Sequence, residues 1–111
     1  MIDISSNNRL PSVEGSFYPS DKDLLKKEIS LYFNQTKLLE PKKELKILIV
    51  PHAGIVYSGH VASCGFAQIN RKINKVILLG VSHYSPFNYA AIYEKGYWQT
   101  PLGKKIGRAH V

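Results

Sequence analysis

Cysteine is almost missing from this chain. Cys64 stands alone among 111 residues, so an internal disulfide is impossible. A Cys-rich zinc module and a disulfide-stapled secreted scaffold are excluded with it. Long hydrophobic runs are missing too. The longest, ILIV and VILLGV, fall far short of the roughly 20 residues that span a bilayer. The opening MIDISSNNRLPSVEG carries neither an apolar core nor a basic lead and does not read as a secretory signal. No membrane association and a cytoplasmic location are therefore expected. Acidic residues are scarce, 8 against 15 Lys and Arg, for a net charge of +7. Such a balance raises the question of a nucleic-acid partner. Yet Asp21, Asp23, Glu28, Glu40 and Glu44 interleave with Lys22, Lys26, Lys27, Lys37, Lys42, Lys43 and Lys46, and no RRM, KH or helix-turn-helix pattern accompanies them. A solvated mixed-charge surface is the expected role of these residues, with no nucleic-acid partner.

What is present suits one small globular unit or part of a larger one, with a hydrophobic share of 44%. Residues 1–19 read as an irregular arm ending in VEGSFYPS. Ser20 reads as a helix N-cap, with Asp23 completing a loose capping box. Leu25, Ile29, Tyr32 and Phe33 then fall on one face of a helix expected over Asp21–Gln35. Glu40-Pro41-Lys42-Lys43 is a linker. Leu45–Val50, LKILIV, is a short continuous apolar run and predicts a strand buried on both faces. A helix rich in small residues is expected over Ser58–Ile69, packing through Val61, Ala62, Gly65, Phe66 and Ile69. Lys75–Leu79, KVILL, predicts a second buried strand, and Asn88–Tyr93 is a third strand candidate.

Strand, loop, helix, strand is a βαβ unit, so the first two strands should run parallel with a right-handed crossover, in an α/β fold. Ligands of such sheets bind beyond the carboxyl ends of the strands. PHAG leaves one carboxyl end and GVSH leaves the next, on the same edge and roughly 5 Å apart if the strands are neighbours. His52 and His83 can therefore converge and share a metal ion. His60 is a poor partner for His52, because eight residues of helix span about 12 Å. Two histidines leave a site incomplete, and a carboxylate or thiolate would normally be the third ligand. The competing reading is a hydrogen-bonded structural pair.

GIVYSG follows a strand and opens a helix, the setting of a phosphate-binding loop. His60 and Val61 stand where that loop needs Lys and then Ser or Thr, so nucleotide binding is rejected. Cys64 is expected in the core. Tyr57 and Tyr84, close to the two histidines in sequence, are expected to line a pocket.

Four stretches, VEGSFYPSD, IVPHAGIVYSGHVA, LLGVSHYSPF and WQTPLG, together resemble the Memo family, which includes the AmmeMemoRadiSam system protein B group. The resemblance runs from about Arg9 to Gly103. It implies an α/β core, mostly parallel, similar to class III extradiol dioxygenases, with a non-haem metal cleft. It also implies that His52 and His83 are metal ligands and that His60, at a variable family position, is not. Val81 stands where proline is common in the family. The family's ligand cysteine and a further pocket histidine lie further along than this chain reaches, and Cys64 does not match the former. Members are typically more than twice this length. Residues 1–105 thus read as the N-terminal part of a single, truncated Memo-type domain.

Residues 106–111 read as a non-native tail, since IGRAHV can be encoded by the end of a widely used sequencing adapter; the competing reading is a true divergent C-terminus. The expected function is metal-dependent redox chemistry with iron or copper, the third ligand being absent from this chain. Its ligand would be a small molecule or a peptide. No general base or nucleophile is assigned, and the chain by itself is expected to be inactive. Two further roles follow from the resemblance: an adaptor binding phosphotyrosine-type peptides in the same cleft, or an accessory component of a radical SAM-associated system.

Overall fold

The computed structural model describes residues 2–3, 8–39, 44–93 and 96–106. It is an α/β structure of two helices and one mixed four-stranded sheet. The elements are β1 (Ile2–Asp3), β2 (Asn8–Arg9), α1 (Lys22–Asn34), α2 (Ile55–Phe66), β3 (Tyr97–Thr100) and β4 (Gly103–Ile106).

Helix α1 forms close to its expected bounds, but its cap is Asp21, one residue beyond Ser20. Asp21 Oδ1 accepts the backbone N–H of Leu24 at 2.8 Å and of Asp23 at 3.0 Å. A carboxylate there satisfies two of the helix's unpaired donors and meets the positive end of its dipole. Leu25 is buried, Ile29 and Tyr32 are half-buried, and Phe33 turns away to the exposed side. This face packs on α2.

Helix α2 starts three residues before the expected Ser58 and ends at Phe66. Its packing surface is small, as expected, and the expected Gly65 is part of it, against Leu48 and Val50, but other residues differ. Val61 is exposed, whereas Gly59 and Ser63 face α1. A Cβ added to Gly59 would stand 2.7 Å from Tyr32 Cε2, so only glycine admits the ring. Ser63 Oγ lies 3.1 Å from Thr36 Oγ1, which also donates to Tyr32 O at 2.8 Å. Gln68 then ties down the exit of α1: its Oε1 accepts Leu39 N at 2.9 Å and its Nε2 donates to Lys37 O at 3.2 Å.

The expected βαβ pairing is not formed. Residues 45–50 and 75–79 carry no strand pairing, nor does the third candidate at 88–93. The reason lies in what covers them. Segment 45–50 lays alternate residues, Leu48 and Val50, against α2, where a Cβ on Gly65 would come within 2.9 Å of Leu48 Cδ1. Its other face is bare, with Ile49 91% exposed, and Leu79 of the second segment is 89% exposed. A strand apolar on both faces needs a layer on each, and the described residues supply one layer to one segment.

The sheet is built elsewhere, from the two ends of the chain. Its order is β1-β2-β3-β4, with β2 and β3 parallel and both outer pairs antiparallel. Arg9 pairs with Trp98, and its guanidinium carbon sits 4.5 Å from the Trp98 ring centroid, a cation–π contact. Asn8, buried, accepts Tyr97 N on its Oδ1 at 3.2 Å. β3 and β4 form a hairpin through Pro101-Leu102, with Thr100 Oγ1 donating to Gly103 O at 2.9 Å. Ile106, counted in the expected tail, pairs with Tyr97 in β4; positions 107–111 of that tail lie outside the described residues.

Leu25 is the one buried large apolar side chain among the described residues. The radius of gyration is 15.6 Å, against about 13 Å for a compact chain near this length. The apolar segments contribute to this extended form through side chains left exposed, Ile47, Ile49, Val76, Ile77, Leu78 and Leu79 among them. Among the described residues no helix is long and apolar enough to cross a membrane.

Candidate metal centre

The first histidine loop is the turn between segment 45–50 and α2. Pro51 ends the extended run, His52 follows, and Gly54 caps α2. Two contacts hold this turn. Ile55 N donates to Phe17 O at 2.8 Å, which docks the SFYPS arm on the helix start. The hydroxyl of Ser58, buried one turn into α2, donates to Ala53 O at 2.9 Å. The arm is itself a tight loop, closed by Gly15 N to Tyr18 O at 2.7 Å and Phe17 N to Val13 O at 2.8 Å. Burial of the Tyr18 phenol, and secondarily the neighbouring Glu14 carboxylate, push its pKa above the usual 10.0.

The second histidine loop follows segment 75–79. Ser82 Oγ donates to Ser85 O at 2.7 Å, closing the short loop that carries His83.

The two loops bring their imidazoles together. His52 Nε2 and His83 Nε2 lie 3.2 Å apart, with ring centroids at 5.3 Å and planes inclined by 43°. The convergence expected from the sequence is thus present, although the strands that were to impose it are not paired. Both rings are exposed. At 3.2 Å one ring can donate Nε2–H to the other, which needs opposite tautomers. The same spacing also suits a shared ion. With nitrogen–metal bonds of about 2.0–2.1 Å, it corresponds to an angle at the metal of about 100°. That lies between octahedral and tetrahedral values, so the donor pair fits a transition metal held by neutral imidazoles.

The other candidates sit apart. His60 lies in mid-α2, exposed, with its carbonyl accepting Ser63 Oγ at 2.7 Å. Cys64 is half-buried at the α1–α2 seam, its Sγ 3.9 Å from Thr36 Oγ1. Tyr57 is 85% and Tyr84 97% exposed, so neither is enclosed by a pocket wall in this chain. Among the described residues no three His, Cys, Asp or Glu side chains gather as a metal-holding group. Sequence reasoning missed the docking of the arm through Phe17, and it missed both serines. Their signal was only adjacency: Ser82 precedes His83, and Ser58 lies within the turn-to-helix stretch after His52.

The chain is thus an α/β protein in which two imidazoles converge from loops that follow apolar segments. Comparison with known sequences makes this specific. The family described as "Memo-like protein" matches residues 9–106, and the chain belongs to that family. It is 38% identical over 106 residues to a MEMO1 family protein of Saccharolobus solfataricus, an overlap covering 86% of this chain and 37% of the relative. With a MEMO1 family protein of Thermoplasma volcanium it shares 39% identity over 99 residues, covering 88% and 36%. One of Thermotoga neapolitana is 36% identical over 107 residues, covering 86% and 39%. The chain thus spans less than two-fifths of the length of these curated relatives.

Proposed function

We propose that His52 and His83 are two protein ligands of a non-haem iron or copper centre in a Memo-type oxidoreductase. In this reading the complete domain resembles the class III extradiol dioxygenases, and the third ligand comes from outside residues 1–111. The observation that carries the reading is the 3.2 Å approach of the two Nε2 atoms from loops 31 positions apart. A bound ion of this kind supplies redox chemistry and open coordination positions for a small substrate or oxygen. The chain's own part is to hold and orient. Each imidazole would hold the ion through Nε2, with Nδ1 left to carry the ring's proton in the bound state. The exposure of both rings leaves room for a further ligand and a substrate. A cytoplasmic setting, in which Cys64 stays reduced, belongs to the same proposal.

The test is titration of the complete domain, third ligand included, with Fe(II) under anaerobic conditions and with Cu(II), followed by metal analysis. One equivalent should bind, should be lost in His52→Ala and in His83→Ala, and should persist in His60→Ala. Retention of stoichiometric metal by both single variants would overturn the reading. A peptide-binding adaptor is the second reading, favoured by the exposure of Tyr57 and Tyr84 beside the two histidine loops. It predicts that a phosphotyrosine peptide binds equally well after His52→Ala. The accessory role in a radical SAM-associated system remains part of the proposal for the whole protein.

A further inference from the structure

The two histidine loops share a construction. Each has a serine hydroxyl donating to a backbone carbonyl at the loop's turning point. Ser58 Oγ reaches Ala53 O, the carbonyl directly after His52, at 2.9 Å, with a longer approach to Gly54 O at 3.4 Å. Ser82 Oγ reaches Ser85 O at 2.7 Å, spanning His83 and Tyr84. The rest of the surroundings gives these bonds their weight. Segments 45–50 and 75–79 form no ladder with one another, so the alignment of the loops does not come from strand pairing. Both imidazoles are exposed, so it does not come from side-chain packing around the rings either. Among the described residues, the bonds at the loops are the contact between the two rings, the first-turn bonds of α2 to Gly54 O, the Phe17 bond to Ile55 N and the two serine bonds, and of these the serine bonds are the side-chain ones that set loop backbone.

We infer that Ser58 and Ser82 are positioning residues: each sets the backbone of one histidine loop so that the two Nε2 atoms meet. The inference rests on the metal-centre reading for its purpose but not for its geometry, which exists without an ion. Serine suits the task because a hydroxyl is both short and a donor, and it can satisfy a turn carbonyl that has no backbone partner. The two positions differ in a useful way. Ser58 is buried in α2, whereas Ser82 is exposed, so loss of the Ser82 hydroxyl removes no packing.

The experiment uses the full chain without metal, labelled for NMR, and reads the cross-ring proton contact between His52 and His83. The unaltered chain should show that contact. Ser82→Ala should weaken it at least about threefold and Ser82→Thr should restore it, because a net hydrogen bond of about 1 kcal/mol corresponds to roughly a fivefold change in population. Ser58→Ala should act likewise with the helical signal near 222 nm unchanged; where that signal falls, the Ser82 pair of variants decides. Fe(II) affinity is measured in parallel on the complete domain, third ligand included, and should drop about tenfold in Ser82→Ala, as for other groups that orient a metal ligand.

An undiminished ring contact in Ser82→Ala, or no contact in the unaltered chain, overturns the inference. An effect confined to one serine overturns it for the other. A ring contact that depends on the serines, in a complete domain that binds no Fe(II), supports the positioning role while refuting the metal reading.

Discussion

Replacing Gly59 by alanine should weaken the helix pair, against the ordinary preference of helices for alanine. In an exposed helix the change would be worth roughly 1 kcal/mol in favour of alanine. Here the new Cβ would stand 2.7 Å from Tyr32 Cε2, 3.0 Å from Cδ2 and 3.3 Å from Ile55 Cβ. An ordinary contact starts near 3.4 Å, so the ring must retreat by about 0.7 Å. It cannot do so freely. Tyr32 is half-buried against α2, and its carbonyl accepts Thr36 Oγ1 at 2.8 Å, which anchors the backbone behind it. Overpacking of this kind costs typically 1–3 kcal/mol. The two effects sum to a net loss of between zero and about 2 kcal/mol. The assay is the urea dependence of the helical signal at 222 nm. The decisive comparison is the same substitution in a Tyr32→Ala background, where the obstructing ring is gone and Gly59→Ala should raise the midpoint. An equal rise in both backgrounds would refute the close packing described for α1 and α2.

Other substitutions separate neighbouring explanations. Asp21→Ala should destabilise α1 by about 1 kcal/mol while Ser20→Ala should leave it within a few tenths, because Asp21 is the cap; urea titration at neutral pH reads both. Ile77→Ser and Leu79→Ser should change the stability read from urea titration of the helical signal by less than about 0.5 kcal/mol, since both side chains are exposed, and should lower binding of an apolar dye. Tyr18 carries a raised pKa, so folding favours its protonated form. That contribution is complete below the unfolded value near 10 and is lost as pH rises through the folded value. Arm docking, followed by exchange of the Ile55 amide or by Tyr18 absorbance, should therefore loosen above pH 10 in the native chain and not in Tyr18→Phe.

Local features were legible in the sequence. The spacing of Leu25, Ile29 and Tyr32 marked the buried face of α1, and the run of small residues marked α2 as a packing helix. The pairing of His52 with His83 over His60 followed from where the apolar runs end. What failed was everything that depends on a second layer. LKILIV and KVILL have the composition of doubly covered strands, but composition states what a segment needs and not what this chain supplies. The sheet that does form was missed for a related reason. Asn8-Arg9 and YWQT are too short and too polar to show a strand period, and the side-chain contacts that accompany their pairing are one amide bond and one cation–π contact. The capping error of one residue at Ser20 and Asp21 is of another kind: both types cap well, and only geometry separates them.

The pairing of Arg9 with Trp98 also sets a clock. A strand at the start of the chain is completed by one that leaves the ribosome 89 residues later, a delay on the order of ten seconds at ordinary synthesis rates. Helices form in about a microsecond, so α1 and α2 can meet long before β2 finds its neighbour. During that interval the first residues have no sheet to join, and closing so long a loop is entropically costly. The arm bound through Phe17 to the start of α2 offers an earlier tether, available as soon as the second helix is made. The N-terminal segment is thus held near its final place by a loop contact before its strand partner exists.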